Sequence, residues 1–140
     1  VVAGVVSALS PRNKWERNLQ DADRVLLAHK YNESPDAVKV CTFTSNKLKA
    51  FDILEGKRVT WGPKTEAFVK NIANLDRDRV TVDLWHWRAC FDKMRAPKSL
   101  TDKKYRQIEK ITIDLATNYG LAGFQLQAVV WESIRGSWEY

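Results

Sequence analysis

Cysteine and histidine are scarce in this chain: Cys41, Cys90, His29 and His86 are the only ones in 140 residues. The two cysteines stand far apart with no CxxC spacing, and neither histidine pairs with a carboxylate or thiol cluster at ligand spacing. A structural zinc or an iron-sulfur cluster needs four such ligands, so neither fits this chain, and no metal or cofactor is expected. Free, buried thiols in a reducing compartment are the expected state of both cysteines. Long hydrophobic runs are also missing. No window reaches eighteen consecutive apolar residues, and the opening "VVAGVVSAL" is too short to span a bilayer and lacks a basic leader and a clear cleavage site. The expectation is a soluble, intracellular protein with no membrane partner. The first residue is Val1, not methionine, so residues upstream are expected to have been lost or cut. There is no internal repeat and no low-complexity segment.

What is present suits one globular domain, spanning residues 1–140, with 44% hydrophobic and 29% charged residues. Lys and Arg number 23 against 17 Asp and Glu, giving a net charge of +6, and the pI is near 9.4. That balance favours a polyanionic partner such as nucleic acid.

Hydrophobic spacing predicts an all-α, or nearly all-α, domain of several short helices. Val1 to Leu9 reads as a buried helix, with a break near Pro11. An amphipathic helix follows, ending near Lys30, with Leu19, Ala22, Val25, Leu26 and His29 at helical spacing. "VKVCTFT" is ambiguous between strand and loop. A helix over about 45–55 is expected, capped by a Ser or Asn and carrying Leu48, Phe51 and Leu54. Gly62-Pro63 opens the next helix, whose apolar stripe is Phe68, Ile72 and Leu75. "VTVDLWHWRACF" fits either a buried strand or a helix starting after Thr81 or Asp83, with Trp85, Ala89 and Phe91 inside. Ser99 with Asp102 resembles a capping box for a helix whose face is Tyr105, Ile108, Ile111 and Leu115, stopped by Gly120. A last helix runs from about Ala122 to Arg135, carrying Leu126, Val129 and Val130, with Gly136 as its terminator.

Two residues stand out chemically. Lys64 falls in the first turn of a helix, where the macrodipole disfavours a cation by about 0.3 to 1 kcal/mol. It is a plain surface lysine, a partner of an anion held by the free amides of the helix start, or a neutral, nucleophilic amine. Asp83 interrupts an apolar run and must be capped, paired or functional if buried; helix N-cap is one role open to it.

The stretch "GPKTEAFVKNIANLDRDRVTVDLWHWRAC" resembles the core of the helix-hairpin-helix DNA glycosylase superfamily, and its endonuclease III branch in particular. That pattern is a glycine turn, Lys-Thr-Ala opening a helix, then Val-Asp with an arginine five residues on. Here "GPKT" supplies the turn with Lys64 and Thr65, "TVD" supplies Asp83, and Arg88 lies five positions beyond it. Upstream, "VVSALSPRNKWERNLQDADRVL" is similar to the family's helix ending in a Leu-Ser and polar turn that probes the DNA stack. The resemblance covers roughly residues 1–92. It implies a compact multi-helix domain acting on double-stranded DNA with a flipped base, in the cytoplasm of a bacterium or a phage-infected host. Lys64 would attack the sugar C1′ and form a Schiff base, and Asp83 would activate the amine or stabilise the oxocarbenium-like charge. The glycine turn at Gly62 would hold a phosphate, and Arg12 or Asn13 would fill the gap left by the flipped nucleotide.

The chain departs from the family pattern in several places. "KRVTWGPKT" keeps only the second glycine of the usual hairpin, Leu84-Trp85 replaces Thr-His, and the cluster cysteines are absent. A short chain of this kind also looks like compact phage proteins related to the superfamily, some thought to act in thymine hypermodification. That likeness implies a transferase in which Lys64 binds a pyrophosphate leaving group. A non-catalytic DNA-binding module is a third reading. Lys57, Arg58 and Lys64 bracket the glycine turn and, with Arg12, Lys14 and Arg17, form either one phosphate-binding face or scattered solvated charge. Trp61 and Trp15 are candidates for stacking on bases, with packing an equal reading for Trp61; Trp85 and Trp131 are assigned to packing.

Overall fold

The computed structural model describes residues 1–91 and 100–139, the last five of these by their backbone only. Every regular element among them is helical: α1 Val2–Leu9, α2 Trp15–Lys30, a 3-10 turn Pro35–Ala37, α3 Thr44–Leu54, α4 Pro63–Ile72, α5 Leu84–Phe91, α6 Asp102–Asn118 and α7 Gly123–Glu139. The protein is all-α. Its residues cluster into two compact units, Val1–Trp61 and Gly62–Tyr140.

In the first unit α1 is the central element and packs against both α2 and α3. Its small and β-branched residues allow this: Gly4 through Leu9 are all buried, and a Cβ at Gly4 would already lie 3.4 Å from Ile53. Val5, Leu9, Val25, Ala50 and Phe51 form the core, with Ile53, Leu54 and Trp61 packed at its edge.

The inward faces are not the purely apolar ones that spacing predicts. In α2, Leu19 is exposed, while Asn18 and Asp21 are buried beside Ala22, Val25 and Ala28. Asp21 replaces apolar packing with hydrogen bonds: its carboxylate accepts from Asn13 Nδ2 at 2.9 Å, Cys41 N at 2.7 Å and Arg24 at 3.2 Å. One side chain thus ties the turn after α1, helix α2 and the segment before α3 together. In α3 Leu48 is exposed, and Lys47 is buried with its amine donating to the Val38 carbonyl at 2.9 Å. Phe43 occupies the N-cap position of α3 without a side-chain cap bond, so the expected Ser or Asn cap is not used. "VKVCTFT" runs as bends and extended chain.

In the second unit Gly62 is the N-cap of α4 and Pro63 its first residue, as expected. The stripe Phe68, Ile72 and Leu75 is not its buried face: Ala67 is the buried residue, and Ile72 and Leu75 are exposed. α4 is held through polar contacts of Asn71, which donates to the Arg79 carbonyl at 2.8 Å and accepts from Thr81 Oγ1 at 2.9 Å.

Residues 79–82 are buried and irregular, with no strand among the described residues to pair with; apart from a tight turn in which Val82 N donates to the Val80 carbonyl at 3.1 Å, side chains satisfy their backbone. Tyr105 Oη accepts from Val82 N at 3.0 Å and donates to the Val80 carbonyl at 2.7 Å. Glu109 accepts from Val80 N at 2.9 Å, and Gln127 donates to the Thr81 carbonyl at 2.6 Å. This explains the polar inner face of α6, where Tyr105, Ile108, Glu109, Thr112 and Ala116 are buried and the expected Ile111 and Leu115 face out. The side chain of Thr101, accepting from Lys104 N at 3.3 Å, caps α6. Asp102 is the helix's first residue, not the far end of a capping box, and Ser99 lies outside the described residues. Gly120, with φ +68°, ends the helix by a turn in which Leu121 N reaches the Ala116 carbonyl. At the start of α7 Gly123 permits a close approach, since a Cβ there would sit 2.8 Å from Val80 and 2.9 Å from Ile113. α7 continues through Gly136 to Glu139.

Candidate functional site

Helix α5 resolves the ambiguity of "VTVDLWHWRACF": Val80 to Val82 are buried and irregular, and the helix begins at Leu84. Asp83 is its cap. Its Oδ1 accepts from His86 N at 2.8 Å and its carbonyl from Trp87 N at 3.0 Å. The helix start stabilises the carboxylate, which remains half-buried.

His86, one turn in, is the buried residue of α5. Its Nε2 lies 2.8 Å from Thr112 Oγ1, a hydroxyl that also bonds the Ile108 carbonyl at 2.9 Å. Nδ1 is buried without a partner. Burial pushes the His86 pKa down, with the negative charge of Asp83 pulling the other way.

Arg88 lies with its guanidinium carbon 4.9 Å from the centroid of the Trp85 ring, three residues back on the same helix face. Trp85 is half-buried, so its assignment to packing is met in part.

Lys64 is the second residue of α4 and is exposed. The same first turn contains Thr65, whose hydroxyl donates to the Gly62 carbonyl at 3.1 Å, and Glu66. The Glu66 carboxyl is held below its ordinary range, chiefly by a hydrogen bond from Lys70, with Arg79 at 3.4 Å adding to it. Glu66 answers part of the puzzle posed by Lys64: the acidic residue that a helix N-terminus prefers is present in the same turn.

Gly62, Lys64, Thr65, Asp83 and Arg88 belong to the second unit, and Arg12, Asn13, Lys14, Lys57, Arg58 and Trp61 to the first. Arg12 and Lys14 are exposed on the turn between α1 and α2. Arg12 adopts φ +54° with its guanidinium 5.8 Å from the ring centroid of Phe43. Asn13 is committed internally, its amide donating to Leu9 O and Asp21. Arg58 is exposed, while Lys57 is neutralised by Asp52 and Glu55. Trp61 packs at the core edge, and Lys49 Nζ lies 5.6 Å from its ring centroid.

Sequence reading missed His86 and Phe43. The signal for His86 was its place three residues after a capping aspartate. Both cysteines are exposed, contrary to the expected burial. Cys41 sits in the bend whose backbone amide is drawn to Asp21, leaving its side chain outside, and Cys90 lies near the end of α5. Among the described residues no group of three or more His, Cys, Asp or Glu side chains is arranged to hold a metal, and no helix is long and apolar enough to cross a membrane.

A family model, described as a family of unknown function (DUF7178), matches residues 1–138. The chain belongs to that family. No curated protein and no solved structure matches it significantly.

Proposed function

We propose that this DUF7178 chain acts on DNA bases in the manner of a helix-hairpin-helix glycosylase with lyase activity, Lys64 serving as the nucleophile and Asp83 as the charged partner of the transition state. The observation that carries the reading is the placement of both groups at helix starts within one compact unit. An exposed amine stands in the first turn of α4, after a glycine-proline turn. A half-buried carboxylate caps α5 with one oxygen committed to a backbone amide. A carboxylate so held is suited to stabilising positive charge that develops on a sugar ring. An exposed amine at a helix start is placed to meet the sugar-phosphate chain, and the positive end of the helix dipole favours a phosphate.

Incubation with a panel of duplexes carrying damaged or modified pyrimidines, read as base release and strand cleavage on a denaturing gel, tests this. The proposal expects cleavage of at least one substrate that is lost in Lys64→Ala. Tight binding without base release or cleavage across the panel would leave a DNA-binding module without chemistry.

A further inference from the structure

We propose that Trp85 and Arg88 on α5 form a stacking platform for an unpaired nucleobase. This rests on the nucleic-acid part of the reading above, not on its chemistry.

At 4.9 Å the Trp85–Arg88 pair is the closest of the described contacts between a cation and a ring, and its spacing of three residues holds the guanidinium over the indole. No carboxylate among the described residues neutralises Arg88. Its Nε–H is buried and has no acceptor among the described residues, so any contact with a partner falls to the rest of the guanidinium. Several other basic groups of the second unit are paired with carboxylates: Lys70 with Glu66, Arg79 and Arg106 with Glu109, Lys110 with Asp114.

A guanidinium fixed by a ring on one side presents a flat, cationic outer face with N–H groups at its edge. The partner that fits is flat, aromatic, rich in acceptors and attached to negative charge, which describes a base in a nucleic-acid strand. The base must be unpaired, because in a stacked duplex both of its faces are covered. Asp83 begins the same helix, so a base seated here would lie on the element that carries the proposed catalytic carboxylate. Trp85 and Arg88 are therefore assigned to recognition of the substrate base.

The test is fluorescence anisotropy of the full chain with a short fluorescein-labelled single-stranded oligonucleotide and with its duplex, at one fixed salt concentration. Base stacking is worth enough that losing it weakens binding about tenfold. Arg88→Lys keeps the charge and loses the planar surface, so it should weaken single-strand binding by about that factor while duplex binding stays within about twofold. Trp85→Ala should follow Arg88→Lys, and Trp85→Phe should retain most of the affinity. Helical circular dichroism confirms that each variant is folded. Single-strand binding that is absent in the wild type, unchanged in Arg88→Lys, or weakened equally for both probes would overturn the platform. Base release measured in parallel separates the two proposals. Release with undisturbed Arg88→Lys binding removes the platform and keeps the chemistry; an Arg88-dependent single-strand affinity without release does the reverse.

Discussion

Asp83 has a structural role and a proposed chemical role on one carboxylate, and substitution can separate them. Asparagine caps a helix about as well as aspartate, whereas alanine does not, at a cost of about 0.5 to 2 kcal/mol. Asp83→Ala is therefore expected to lower the denaturant midpoint, and Asp83→Asn to leave it nearly unchanged. If the negative charge is needed for chemistry, Asp83→Asn is nonetheless inactive in base release; an active, stable Asp83→Asn would reduce the residue to a cap. His86 makes a separate prediction. Its folded pKa lies below the ordinary value of 6.5 because burial disfavours the cation. As pH falls below that value the unfolded chain binds the proton first. The stability contributed by neutral His86 is thus complete above the ordinary value and is lost as pH falls through the depressed folded pKa. Urea unfolding followed from about pH 7 to about pH 4 should show a loss that His86→Gln reduces, since glutamine can still hydrogen-bond Thr112 but does not titrate. An identical slope in the variant would remove His86 from the account.

At the scale of the element, the buried irregular run at 79–82 depends on α6 more than on its own sequence. Glu109 holds Arg79 Nε at 3.0 Å and the Val80 amide at 2.9 Å, both in buried surroundings. Removing its carboxylate leaves the buried Arg79 guanidinium with Glu66, 3.4 Å away, as its remaining carboxylate and the Val80 amide without its acceptor, so Glu109→Ala should destabilise the second unit by about 3 kcal/mol. Hydrogen exchange at Val80 and Val82 should report the loss; unchanged protection would show that the segment is fixed by other means. Tyr105 sits beside it, its hydroxyl pKa pushed up to about 12 chiefly by burial. Its contribution to stability should accordingly fall as pH rises between about 10 and 12, the window in which only the unfolded chain loses the proton. The same contacts explain what could be read in advance. The start of α4 was legible because glycine and proline act locally, and α1 because its residues are small or apolar on every side. The inner faces of α2, α3 and α6 were not, because Asp21, Lys47, Glu109 and Thr112 are buried among polar or backbone partners, several distant in sequence. Hydrophobic spacing has no term for a polar group that is buried because it is bonded.

For the whole molecule, net charge and the placement of its basic groups bear on nucleic-acid binding. The charge of +6 is a property of composition, but pairing decides which cations are free: Lys57, Lys70, Arg79, Arg106 and Lys110 are committed to carboxylates, whereas Arg12, Lys14, Arg58 and Lys64 are exposed. If phosphates contact these residues, the logarithm of duplex affinity falls linearly with the logarithm of salt, each contact adding about −0.9 to the slope. An affinity indifferent to salt would contradict DNA as the partner. Of the candidate site, the helix-start positions of Lys64 and Asp83 were legible from Gly62-Pro63 and from the cap pattern. The buried imidazole beside Asp83 and the stacking of Arg88 on Trp85 were not, since both depend on which way α5 faces. The central claim concerns a bond between Lys64 and DNA. Borohydride reduction during incubation with a cleaved duplex, followed by peptide mapping of the adduct, tests it most directly. The account predicts a covalent complex attached at Lys64 and absent from Lys64→Ala; an adduct on another residue, or cleavage that yields none, would contradict it.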